Sequence, residues 1–338
     1  MSKKTSIGGQ ALIEGIMMKG PYKTTMAVRK KDGTIDISDV EEKHLKDKYS
    51  IFGLPLIRGM VNLVESMIIG YKTMMQSAEI SGFADIEDES ESIETGIADV
   101  ETDNKEKSAN ADGEKKETVL SGGLMVVSVV LGIALAVVLF MWLPSLIFKG
   151  IQYIFDTDLK YYKGLIEGIV KIAIFVGYIA LTAMEKDIKR VFQYHGAEHK
   201  TIFCYESGEE LTVENVRKHT RFHPRCGTSF MFLMLAVGIL ISSVLVVILP
   251  EFIISRNYIW VPIKILLLPL TCGIGYELIK ICGRHDNIFT RIIAAPGLWV
   301  QRLTTKEPDD SMIEIAIAAV KEVIPSDGSD VIECCDKK

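Results

Sequence analysis

Charge is scarce in this chain. Only 24% of its 338 residues are Asp, Glu, Lys or Arg, and the mean hydropathy is positive at +0.24. A soluble domain of this length is less apolar and spreads its apolar residues more evenly. No stripe of Lys and Arg interleaved with aromatics occurs, so nucleic-acid binding has no support. Met1–Gln10 is polar and lacks an apolar h-region, so no cleavable secretory signal is expected and the first apolar run reads as an internal anchor. There is no internal repeat and no symmetry between pairs of apolar runs, which argues against a transporter. Cysteine and histidine are sparse too, at six each. Cys204, Cys226, Cys272, Cys282, Cys334 and Cys335 all fall where a cytosolic location is expected, so they read as free thiols or ligands.

The apolar residues, 48% of the chain, gather in blocks. Val119–Leu143, Gly164–Met184, Ser229–Pro250 and Tyr258–Ile279 are each long enough to cross a hydrocarbon layer of about 30 Å as a helix. The fold class expected is an all-α polytopic membrane protein of about four transmembrane helices, with a small cytosolic α+β portion. Orientation follows from Lys and Arg. Residues 185–228 hold Lys186, Lys189, Arg190, Lys200, Arg217, Lys218, Arg221 and Arg225, whereas the opposite connections hold Lys149, Lys160 and Lys163 in one and Arg256 in the other. This bias puts both termini in the cytoplasm.

The net charge of −6 is a local property, because residues 79–118 hold fourteen acidic residues against four lysines, the composition of a disordered linker. Before it, residues 1–50 combine a glycine-rich apolar motif with a β-hairpin formed by Met26–Arg29, a turn at Lys31–Thr34 and Ile35–Ile37. Residues 51–78 are apolar but interrupted by Arg58, Asn62 and Glu65, which fits an interfacial helix or a re-entrant segment. After the linker come the first two spans (119–184), a His/Cys loop (185–228), the last two spans (229–280) and a tail (281–338). Glu167 and Lys171 have ion-pair spacing, and Pro262, Pro269, Gly273 and Gly275 predict a kinked fourth span. In the tail, Pro296-Gly297 breaks an apolar stretch over Ile288–Leu303. The following helix, Ser311–Ile324, needs a surface for its stripe of Ile313, Ala316, Ile317 and Val320.

Chemistry concentrates in Tyr194–Lys200. The second span is expected to continue as one helix through Tyr205, putting His195, Glu198 and His199 on one helical face. Two imidazoles held this way supply half of a tetrahedral zinc site, and the glutamate beside them can activate a metal-bound water. The order His-x-x-Glu-His is that of inverzincin peptidases. Thr212 can cap a second short helix, after which His223-Pro224-Arg225-Cys226 sets two further donors across a proline turn. With six histidines, roughly 0.1 pairs four residues apart are expected by chance, yet His195/His199 and His219/His223 both occur. Glu206, Glu277 and His285 are further same-side candidates.

Gly8–Pro21, Tyr194–Lys200, Val216–Lys218, His223–Phe230 and Thr304–Asp310 together resemble the YqhQ-like family of bacterial integral membrane proteins, which has a domain of unknown function and is described as predicted metal-dependent enzymes. The resemblance implies a multi-span protein of the bacterial inner membrane, with lipids as its partners and a suspected metal site. His195, Glu198, His199, His223 and Cys226 match its motifs, His219 does not carry over, and Glu14 falls in the N-terminal motif.

Two readings follow. In the first, His195 and His199 are ligands for a divalent, zinc-like ion with His223 or Cys226 as the third, and Glu198, polarising the bound water, is the catalytic residue of a hydrolase at the inner membrane surface. In the second, His195, His199, His223 and Cys226 together form a closed structural knuckle in a non-catalytic membrane scaffold.

Overall fold

The computed structural model describes residues 4–42, 49–54, 57–83, 127–156, 159–285 and 287–332. Its strands are β1 (Lys4–Thr5), β2 (Gly8–Leu12), β3 (Gly15–Lys19), β4 (Thr24–Arg29), β5 (Ile35–Asp39) and β6 (Val331–Ile332). Its helices are α1 (Ile57–Ser81), α2 (Val127–Phe155), α3 (Lys163–Thr182), α4 (Lys186–Ser207), α5 (Val213–Lys218), α6 (Gly227–Ile248), α7 (Asn257–Leu266), α8 (Leu268–Arg284), α9 (Ile288–Thr304) and α10 (Asp310–Val323). They form two compact units. One holds the strands with α1, α4, α5, α8, α9 and α10; the other holds α2, most of α7, the start of α3 and the end of α6.

The predicted hairpin is half of a four-stranded antiparallel sheet in the order β2-β3-β4-β5. Side chains alternate across a strand, so Ala11, Ile16, Met18 and Ala27 face one core while Leu12, Met17, Met26 and Val28 face another. The first face packs on α10 and α4, and the second on α1. Burial on both faces explains why the glycine-rich motif reads as continuously apolar instead of alternating. The stripe of α10 finds its partner here: Ile313, Ala316, Ile317 and Val320 are buried against the sheet and α4, with Asp309 as N-cap. β1 pairs with β6, Lys4 opposite Ile332.

By length and composition, α2, α3 and α6 can each cross a membrane, and α7 with α8 makes a fourth span if that pair, bent by 44°, counts as one. The kink expected there falls at Leu267, next to Pro269. Several boundaries differ from expectation. The first apolar helix runs on to Phe155 through a π-helical turn at Val138–Trp142, while residues 119–126 lie outside those described. Residues 79–81 belong to α1, and 84–118 of the expected linker lie outside the described residues. Pro296 sits inside a continuous α9. The second apolar helix stops at Thr182, short of Tyr205. Glu185 takes an extended conformation, its carboxylate accepts the Lys186 N–H, and α4 starts afresh with Asp187 in its first turn.

In the second unit, Glu167 pairs with Lys264 and accepts from Ser145 Oγ at 2.5 Å and Trp260 Nε1 at 3.3 Å, while Lys163 donates to the Ile254 carbonyl. The expected partner, Lys171, is displaced by Lys264 because a carboxylate in apolar surroundings needs several converging donors.

At the other end of the sequence motif, Gly196 of α4 is pressed against the Lys306 carbonyl, and Lys306 N–H donates to the Phe192 carbonyl at 2.8 Å. A Cβ there collides with backbone. Gly196→Ala is expected to destabilise the folded protein by about 1–3 kcal/mol through overpacking, read as a lower thermal midpoint in detergent. An unchanged midpoint contradicts this close approach.

Candidate metal centre

The centre is built on the buried face of α4. His195 projects from its middle, and its Nδ1 lies 2.8 Å from the Thr304 carbonyl at the end of α9. One turn on, His199 Nδ1 lies 2.6 Å from the Arg221 carbonyl in the loop after α5. A carbonyl only accepts, so both Nδ1 atoms carry the proton and both Nε2 atoms are left with a lone pair when the rings are neutral. Metal-ligating histidines are held this way, one ring nitrogen fixed by a carbonyl while the other faces the ion. Here the Nε2 atoms meet a thiol: Cys226 Sγ is 3.1 Å from His195 Nε2, and one donor atom each from His195, His199 and Cys226 lie within 4.8 Å of one another.

Electrostatics match that geometry. Burial and the neighbouring His195 hold His199 below the usual imidazole range. Burial raises the Cys226 thiol, but its contacts with His199 and Thr228 outweigh burial and leave the thiol lowered overall. Glu198 is deeply buried. Burial pushes its carboxyl up to about 7, opposed by His195 and by a hydrogen bond from the Gly9 backbone. Its Oε2 has no hydrogen-bond partner among the described residues. A divalent ion fits this set: two imidazoles with oriented lone pairs, a lowered thiol and an unpaired buried carboxylate.

His223 lies beside this group and outside the set of mutually close donors. Its ring centroid is 5.5 Å from that of His199, and its Nε2 faces Glu206 Oε2 at 3.8 Å. Glu206 also pairs with Arg225 and accepts the Thr5 N–H at 2.7 Å. Although burial alone raises a carboxyl, contact with His223 and Arg225 takes Glu206 down to about 2. Glu277 makes a two-pronged pair with Arg58, and Glu14 pairs with Arg190 and accepts from Tyr194 Oη at 3.0 Å. The first joins α1 to α8 and the second joins the turn between β2 and β3 to α4, and both stand apart from the donor group. His285 is likewise outside it.

Several residues that hold the centre are not visible in a search for ligands. Gly9 is one: a Cβ there meets the Met17 carbonyl at 2.6 Å and the Glu198 carboxyl carbon at 3.1 Å, so only glycine lets β2 approach the carboxylate. Gln301, fully buried, is another. Its Oε1 accepts the His223 N–H at 2.7 Å, and its amide donates to the His223 carbonyl at 2.6 Å and to Ser229 Oγ at 3.1 Å. The signal available was their place in or near two of the segments that carry the family resemblance, Gly8–Pro21 and Thr304–Asp310. The second of these also closes over α4 through Glu307, which pairs with Lys200 at 2.7 Å and Arg221 at 2.5 Å.

The family described as "Protein of unknown function (DUF1385)" matches residues 54–326. The "Uncharacterized protein YqhQ" of Bacillus subtilis (strain 168) is 32% identical over 321 residues, spanning 94% of this chain and 92% of that protein. No solved structure matches the chain.

Gln301→Leu leaves the His223 N–H buried without a partner and takes from its carbonyl the closer of two donors, the other being the Cys226 N–H at 3.4 Å. It is expected to cost about 1–3 kcal/mol of stability, measured as a fall in thermal midpoint. Gln301→Glu, which keeps one acceptor, is expected to fall between it and the parent. Equal midpoints for all three proteins contradict the clamp.

Proposed function

The chain belongs to the DUF1385 family, and we propose that it is an integral membrane protein carrying a zinc-like site, made by His195, His199 and Cys226, that serves hydrolysis at the inner membrane surface. The observation that supports this reading is the pairing of three converging donors with a buried carboxylate, Glu198, that has no second partner. Structural zinc sites close with four protein ligands, whereas catalytic ones keep a position open. His223, the fourth donor expected from the sequence, is occupied by Glu206 and Arg225 instead. Deep burial of His199 and Cys226 favours the second reading, a structural knuckle.

A divalent ion supplies Lewis-acid polarisation and acidifies water when bound. The remaining work falls to side chains of this protein. Glu198, balanced near pH 7, can take a proton from an attacking water and return it to the leaving group. The Thr304 and Arg221 carbonyls fix the tautomer of both histidines. Lys200, tied to the Arg217 carbonyl and Glu307, braces α4 against the loop.

Membrane residence rests on the apolar helices, and the Lys and Arg bias favours cytoplasmic termini. The exposed Val64, Met67, Ile68, Tyr71 and Met75 of α1 support a helix lying against lipid.

Two variants test the proposal. His195→Ala/His199→Ala is expected to lose the ion from purified protein, and Glu198→Gln is expected to keep it while failing to complement a deletion strain. Full metal content in the double variant sinks the site. Full complementation by Glu198→Gln leaves the structural knuckle standing and removes the catalytic role.

A further inference from the structure

A second group of ligand-type side chains lies at the far end of α4, away from the three donors described above. Cys204 is buried on the last turn of that helix, Glu209 follows the Gly208 C-cap, and His219 follows α5. One donor atom from each lies within 4.8 Å of the others. His219 Nε2 approaches Glu209 Oε1 at 3.5 Å without making a hydrogen bond, and it is a buried nitrogen with no hydrogen-bond partner among the described residues. Such a nitrogen ordinarily costs stability. Among the described residues, Cys204 Sγ donates only to the Glu210 carbonyl, at 3.6 Å. The three residues bracket a short excursion, so whatever joins them ties the end of α4 to the chain leaving α5.

We propose that Cys204, Glu209 and His219 form a second divalent-metal site, selective for a zinc-like ion. A thiolate and an imidazole favour a borderline ion over calcium or magnesium, which take oxygen ligands. The half-exposed Glu209 leaves one side of the site open to water as a fourth ligand. His219 stands two residues before Arg221, whose carbonyl fixes His199. An ion held at His219 therefore anchors the segment that orients a ligand of the first centre. The site stands on its own donors and does not depend on the first being catalytic.

The experiment uses the full chain, purified in detergent, loaded with zinc and washed with a weak chelator before elemental analysis. The parent is expected to hold two equivalents. Cys204→Ser and His219→Gln are each expected to lose one and to keep the equivalent bound by His195 and His199. Glu209→Gln changes a half-exposed residue and so tests the site without threatening the fold; it is expected to give up one equivalent at a lower chelator concentration. His195→Ala/His199→Ala is expected to lose the other equivalent only. If the first centre binds nothing, the parent holds one equivalent, and Cys204→Ser abolishes it. Parent-level zinc in Cys204→Ser, His219→Gln and Glu209→Gln alike overturns the second site. So does cobalt-loaded His195→Ala/His199→Ala protein that lacks a thiolate-to-cobalt absorption band.

Discussion

The central constraint is that α4 buries polar side chains. Glu198, His199, Lys200 and Thr201 are consecutive and all inaccessible, on a helix packed between a sheet and another helix. Each needs a partner, because an unpaired polar group in that setting costs several kcal/mol. The surrounding chain supplies main-chain groups where side chains would be too bulky: the Gly9 backbone for Glu198, the Arg221 carbonyl for His199 and the Arg217 carbonyl for Lys200. Thr201 is satisfied within the helix, by the Ala197 carbonyl. Among these four side chains, Glu198 Oε2 is the atom left without a hydrogen-bond partner among the described residues.

Much of this was legible in the sequence. The spacing of His195, Glu198 and His199 predicts one helical face, and the structure gathers two of those imidazoles with Cys226 from the loop expected to lie opposite. The apolar stripe of α10 and the break near Pro269 were equally readable, because periodicity and proline act locally. What escaped was set by tertiary context. His223 carries a ligand's chemistry, but Glu206, distant in sequence, and Arg225, two residues on, occupy it. Carbonyls of Thr304 and Arg221 leave no trace in composition at all.

The helix break at Glu185 is instructive in the same way. No glycine or proline marks it, and the apolar run before it continues to Met184. It is a capping event: one carboxylate satisfying a backbone N–H competes with continuation of the helix, and the polar run that follows favours a new start. Strands β2 and β3, unlike the hairpin of β4 and β5, escape a sequence reading for the opposite reason. Strands buried on both faces lose the alternation that identifies a strand, so Gly8–Lys19 reads as a generic apolar stretch.

The pairing of β1 with β6 has a temporal consequence. The strands that shelter Glu198 are made first, the apolar helices next, and α9, α10 and β6 last. Thr304, which orients His195, and the stripe that seals the sheet both belong to the final stretch of chain. During synthesis the sheet must wait, one hydrophobic face open, while more than two hundred residues pass. Contacts so distant in sequence form slowly. The three donors are thus locked in place only as a closing act of biogenesis.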